Sequence, residues 1–269
     1  MLEFPDFSTP DVWLSFLTLT FLEIVLGVDN IIFISITANR LKSEERPKAI
    51  NIGLILAMVM RIALLFGISW LIAFNDSLFT IDFIGIKGGF SGQSLILIGG
   101  GIFLLYKSVT EIHHKLEGES NLGGSKKSMS FTNAIIQLTV INIVFSFDSI
   151  LTAVGMTNGL QGALLIMIVA VVVSVLIMML FANPVTKFVD KHPTIQMLGL
   201  SFLLLIGFML IIEGAHLAHF TIGGNEIGAV PKGYLYFAIA FSLLVEFLNL
   251  RLRKTKDPVH LHGPEDQAQ

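Results

Sequence analysis

The sequence predicts an all-α membrane protein. Seven transmembrane helices are expected, with the first three repeated by the next three in inverted topology and a seventh added at the end. Three observations lead there. Hydrophobic residues make up 54% of the 269 and charged residues only 14%, with a mean hydropathy of +0.79. A soluble domain carries about 25% charged residues. Seven apolar stretches are spaced along the chain, each near the roughly 20 residues that a helix needs to cross a bilayer. Finally, residues 22–33 match residues 141–152 where polar side chains interrupt the apolar run.

This composition excludes a soluble enzyme, a secreted disulfide scaffold and a nucleic-acid binder. The chain has no cysteine, which removes disulfides and thiolate metal sites. Its first residues, MLEFPDFSTPD, are acidic and lack the basic region of a cleavable signal peptide, so the first span is expected to be retained.

The spans read as about 12–37, 49–74, 93–110, 131–155, 160–182, 195–217 and 233–250. Lipid offers the backbone no hydrogen-bond partners, so each is expected to be a helix. Basic residues sort by loop. Loop 38–48 holds Arg40, Lys42, Arg46 and Lys48, and loop 107–130 holds Lys107, Lys115, Lys126 and Lys127. Lys187 and Lys191 lie in 183–194, and Arg251, Arg253, Lys254 and Lys256 in the tail. The opposite side has Lys87 and Lys232 alone. The positive-inside rule then places the N-terminus outside and the C-terminus in the cytoplasm, which an odd number of spans satisfies. A single membrane domain is expected over 1–255, with repeat A at about 12–112, repeat B at about 131–217 and the extra helix at about 233–250. Segment 111–130 reads as a flexible connector, and 256–269 as a polar cytoplasmic tail.

The repeat sets LEIVLGVDNIIF above INIVFSFDSILT. Ile24/Ile143, Val25/Val144, Asp29/Asp148 and Ile31/Ile150 are identical, while Glu23 faces Asn142, Gly27 faces Ser146 and Asn30 faces Ser149. The offset covers three spans. Three is odd, so spans 1 and 4 should cross in opposite directions, the arrangement of many secondary transporters.

Glu23, Asp29, Asp148 and Arg61 lie deep in these spans. Each costs about 2.5–3.5 kcal/mol at a helix centre, so the set needs compensation on the order of 10 kcal/mol. Such residues point first to a substrate or ion pathway. The bland alternative is an internal salt bridge, and for Arg61 it is the first reading. Glu23 and Asp29 are six apart, which puts them on different faces of a straight helix. A local unwinding at Gly27 is expected to turn both inward and free carbonyl oxygens. Asp148 and Thr152 share a face, and Ser149 adds a hydroxyl. Oxygen-only donors suit Mg, Ca or Mn rather than zinc or copper.

Weaker candidates flank this set. Glu213 and His216 read as a hydrated helix end, with an exit site as the second reading. Glu111, with His113 and His114, reads as a solvated terminus before a vestibule. Glu246 and Asn249 read as packing or snorkelling residues, and His260/His262 as a weak metal signal. Gly99, Gly100 and Gly101 suggest close helix packing.

Residues Phe21 to Asn30 carry ExxxGxDN, and this segment resembles the signature of the TerC family. Asn142 to Ser149, NIVFSFDS, is similar to that family's second signature. The likeness extends to Met58–Arg61, Glu111–His113, Pro231–Tyr236 and Val245–Asn249, from about residue 10 to residue 255. It is nearest the short YgdQ-type branch, without appended CBS or CorC-like domains. The resemblance implies a seven-helix bacterial inner-membrane protein and a divalent-cation exporter, with Mn2+ favoured and Ca2+ the variant. It also implies metal-ligand roles for Glu23, Asp29, Asn30 and Asp148, with Asn142 and Ser149 as neutral donors. Asn142 stands where the branch implies an acid, which removes one charge. The expected partners are a metal-ion substrate and the lipid bilayer. No resident cofactor and no enzymatic activity are expected. Alternating access, with protons competing for the same carboxylates, completes this reading. Two other classes stay open. One is a non-transporting stress-response or assembly partner of the tellurite-resistance type. The other is an intramembrane aspartyl protease, which the missing GxGD pattern disfavours.

Overall fold

The computed structural model describes residues 4–38, 40–42, 44–67, 76–83, 85–117, 130–157 and 159–253, without the side chains of Leu26, Val28 and Asp29. Among the described residues, seven helices are long and apolar enough to cross a membrane. They are α1 (Pro10–Ala38), α2 (Arg46–Phe66), α3 (Gly92–Glu117), α4 (Phe131–Thr157), α5 (Ala163–Lys191), α6 (Pro193–Leu217) and α7 (Lys232–Arg253). The chain divides into two compact units, Met1–Val230 with α1–α6 and Pro231–Gln269 with α7.

Local chemistry sets the helix ends. Before α1, the Asp6 carboxylate accepts from the Ser8 amide at 3.0 Å and its hydroxyl at 2.6 Å. These bonds hold the Asp6 carboxyl below its ordinary pKa. Proline lies in the first turn of α2 and of α6, where its missing N–H is no loss. Gly162 precedes α5 at φ +71 and lies against Pro5, a position that tolerates no Cβ.

Two boundaries differ from expectation. α2 ends at Phe66, short of residue 74, and residues 68–75 lie outside the described residues. The loop expected over 183–194 is helical except for His192, because α5 runs through Pro184 to Lys191. Of the connector expected over 111–130, residues 111–117 are helical as the end of α3, and 118–129, like the tail from residue 254, lie outside the described residues.

A second difference is a small sheet. β1 (Ser77–Phe83) and β2 (Ile86–Ser91) form an antiparallel hairpin. β2 then pairs with β3 (Thr221–Ile222), and β3 with β4 (Asn225–Glu226) around Gly223 and Gly224, both at positive φ. The sequence favours this. Alternating Phe, Thr and Ile flank turn glycines, the pattern of a tight hairpin. Among the described residues the fold is therefore mostly helical, with four short strands added to the seven expected spans.

Helices alternate in direction through α6. At one end, Arg40 after α1 bonds Glu111 near the end of α3, Leu41 packs with Ala134 at the start of α4, and Lys115 bonds Gln196 near the start of α6. Away from that end, Val12 and Leu19 of α1 share a core with Leu65 of α2, Ile150 and Ala153 of α4, and Ile166 and Met167 of α5. α1 and α4 accordingly run antiparallel.

The dominant helix contacts are α3 with α6, α1 with α5, α2 with α4, and α2 with α5. Exchanging α1–α3 for α4–α6 turns α1–α5 into α4–α2 and leaves α3–α6, α2–α5 and α1–α4 in place. Helix bounds follow the same exchange. α1 and α4 end 119 residues apart and α2 and α5 begin 117 apart, the difference lying in connectors of seven and five residues. α3 and α6 approach through glycine. A Cβ on Gly101 would lie 2.5 Å from the Gly207 carbonyl oxygen, and one on Gly207 would lie 2.9 Å from that of Gly101. Close backbone approach through small residues is a common packing mode in lipid. Gly100 packs on Val144, whereas Gly99 faces open space.

Candidate functional site

Glu23 is buried on α1, thirteen residues after its start at Pro10, and its side chain faces protein. Its carboxylate forms an ion pair with Arg61 of α2. Arg61 is only 2% exposed and is the bulkiest of the fully enclosed side chains. A buried ion pair offsets most of the cost that either charge would carry alone, which explains how both persist at this depth. The guanidinium also donates from Nε to the Ser146 hydroxyl of α4 at 3.4 Å. That hydroxyl donates to the Asn142 carbonyl at 2.5 Å, and the Asn142 amide donates to the Gly53 carbonyl of α2 at 3.4 Å. Ser149 donates back to the Ser146 carbonyl at 3.2 Å. A polar seam therefore joins α1, α2 and α4 and brings together Glu23, Arg61, Asn142, Ser146 and Ser149, all buried.

Asn30 is also buried, and its Oδ1 has no hydrogen-bond partner among the described residues. An enclosed amide oxygen left unsatisfied is a natural cation donor. Asp148 is half-buried on α4, and its carbonyl accepts the Thr152 hydroxyl at 3.0 Å. Asp29 lies on α1, but its side chain falls outside the described residues. Among the described residues, no three His, Asp or Glu side chains converge on one point. The donors seen are mixed: carboxylate, amide and hydroxyl oxygens.

The helix break expected at Gly27 is absent, and α1 is continuous through it. Gly27 serves packing instead. The Met178 sulfur of α5 fills the place that a Cβ would take. Ser146, the repeat counterpart of Gly27, receives Arg61 in the same way.

A second ionic cluster stands where the sequence predicts a solvated helix end. Glu111 is in fact buried, with Lys107 at 2.8 Å on one oxygen and Arg40 at 2.9 Å on the other. The i,i+4 spacing of Lys107 and Glu111 was the available signal; Arg40 comes from another element and gave none. Near the sheet, Glu213 is half-buried, His216 bonds the Ile227 carbonyl at 3.1 Å and His219 meets Glu226 at 2.8 Å. Glu246 lies on α7 in the second unit, and His260 and His262 lie outside the described residues.

The family model for the integral membrane protein TerC family matches residues 8–259. The chain belongs to the TerC family. Among similar proteins, the UPF0053 inner membrane protein YgdQ of Escherichia coli is 44% identical over 94% of this chain and 98% of its own length. The inner membrane protein YoaE of the same organism is 44% identical over 91% of this chain, and the UPF0053 protein YegH is 42% identical over 90%. The chain spans only 44% and 42% of the lengths of those two. No solved structure matches. In this TerC-family chain, the ExxxGxDN signature lies wholly on α1 and the second signature wholly on α4, the two helices that face each other across the seam.

Proposed function

We propose that this TerC-family protein transports a divalent metal cation, with Mn2+ favoured, by alternating access between two inverted three-helix halves. The observation that carries the reading is the enclosure of oxygen donors from repeat-related positions on two antiparallel helices. Glu23 and Asn142 correspond, as do Asn30 and Ser149, and all four are buried inside protein. Hard oxygen donors suit Mn2+, Mg2+ and Ca2+. Asp29 and Asp148 supply the anionic ligands in this reading, with Asn30, Asn142 and Ser149 as neutral donors and Glu23 as a further acid. Rocking of one half against the other would expose the site alternately to each face. Outward direction and proton competition rest on the family resemblance and on the carboxylate chemistry. The placement of the N-terminus outside the inner membrane rests on the sorting of Lys and Arg by loop.

One observation favours the second reading, a membrane partner that moves no ion: Glu23 already has a counter-ion in Arg61. A flux assay separates the two. Inverted vesicles holding purified protein are loaded with a metal-sensitive dye and challenged with Mn2+, Ca2+, Mg2+ and Zn2+. Transport predicts uptake of at least Mn2+, lost in folded Asp29→Asn and Asp148→Asn variants. A folded wild-type protein that moves none of the four supports the partner.

A further inference from the structure

Away from their ends, α1, α2, α4 and α5 carry four ionisable residues: Glu23, Asp29, Arg61 and Asp148. Three acids and one base leave a net charge of −2. The structure says which acid the base removes, because Arg61 pairs with Glu23. The second half solves the same packing problem without charge. By helix offset, Arg61 corresponds to Met178, Glu23 to Asn142 and Gly27 to Ser146. The contacts respect that correspondence. Arg61 rests on Ser146 of the opposite half, and Met178 rests on Gly27. One half thus holds an acid and an arginine where the other holds an amide and a thioether. Both pairs are neutral.

We propose that Arg61 sets the valence of the site, neutralising Glu23 and keeping it out of the coordination shell, so that one carboxylate from each half balances a dication. The inference rests on the transport reading and sharpens it. Glu23 becomes a positioning residue, and the ligand acids reduce to Asp29 and Asp148. A guanidinium seated on a ligand carboxylate would repel the cation it was meant to bind. Seated on a non-ligand, it fixes α1 to α2 and α4 at no net charge.

A charge-restoring cycle tests this. Proteoliposomes of the full chain are assayed for Mn2+ uptake with wild type, Glu23→Asn, Arg61→Met and the double variant, whose first half then carries the second half's residues. Each single variant is expected to lose about tenfold or more, since it leaves a buried charge unmatched. The double variant is expected to recover to within about threefold of wild type, the mark of a coupled pair. A folded double variant as inactive as Glu23→Asn, beside an active wild type, overturns the proposal and makes Glu23 a ligand. If the double variant does not fold, Arg61→Lys decides: retained uptake supports a charge role, and a folded but inactive protein overturns it. A wild type that moves no dication defeats the transport reading itself, a separate result.

Discussion

Arg40, in the connector after α1, reaches Glu111 on α3 at 2.9 Å, and Lys107 holds the other carboxylate oxygen at 2.8 Å. This clasp ties the end of the signature helix to the α3–α6 pair. Glu111 and Lys107 are buried, whereas Arg40 is about one-third exposed at 31%. Glu111→Gln would leave two cations facing each other with no acid. We expect a loss of about 3 kcal/mol in unfolding free energy, since removing one partner strands buried charge. Arg40→Gln should cost less, about 1 kcal/mol, because water screens its exposed part. Denaturant titration in detergent checks the order; equal losses would show that Arg40 and Lys107 are not alternatives for the same charge.

The two glycine contacts make a contrasting pair. A Cβ at Gly101 meets backbone, the Gly207 carbonyl at 2.5 Å and the Ile211 nitrogen at 3.0 Å. A Cβ at Gly27 meets only the Met178 thioether, which can swing aside. Gly101→Ala should therefore destabilise by about 2 kcal/mol or more. Gly27→Ala should cost under about 1 kcal/mol, because better helix propensity offsets part of the strain. Thermal melts of the two variants measure the difference.

Asn30 presents a buried amide oxygen with no partner among the described residues. Removing it should not harm the metal-free protein, because an unsatisfied acceptor contributes no stability and costs about 1–3 kcal/mol. Asn30→Ala is expected to melt within a few degrees of wild type without metal, yet to lose most of the upward shift that excess Mn2+ gives wild type by linkage. A variant stabilised by Mn2+ as fully as wild type would remove Asn30 from the donor set.

The absence of native cysteine makes the expected orientation easy to check. Lys42 and Thr80 are both exposed, in the α1–α2 connector and on β1. In intact cells, Thr80→Cys should react with a membrane-impermeant maleimide and Lys42→Cys should not. The opposite labelling would invert the topology.

Much of this fold could be read in the chain because lipid admits so few backbone solutions. Seven apolar stretches had to be helices, and the signature positions Glu23 and Asn142 had to find protein partners. What the sequence withheld depends on approach between distant segments. Gly27 looked like a helix breaker, but its role is to receive Met178 from α5, 151 residues away in the chain. Glu111 looked solvated because Arg40, its second cation, lies 71 residues earlier. The sheet was hidden for another reason. Its strands are short and lie in the loops between the expected spans, and β2 meets β3 only across a separation of 134 residues, which no local pattern announces.

Electron paramagnetic resonance of Mn2+ added to the purified protein tests the shared site most directly. One bound Mn2+ per chain is expected for wild type, and both Asp29→Asn and Asp148→Asn should abolish it while remaining folded. If either variant alone binds Mn2+ as wild type does, the two halves do not build one site.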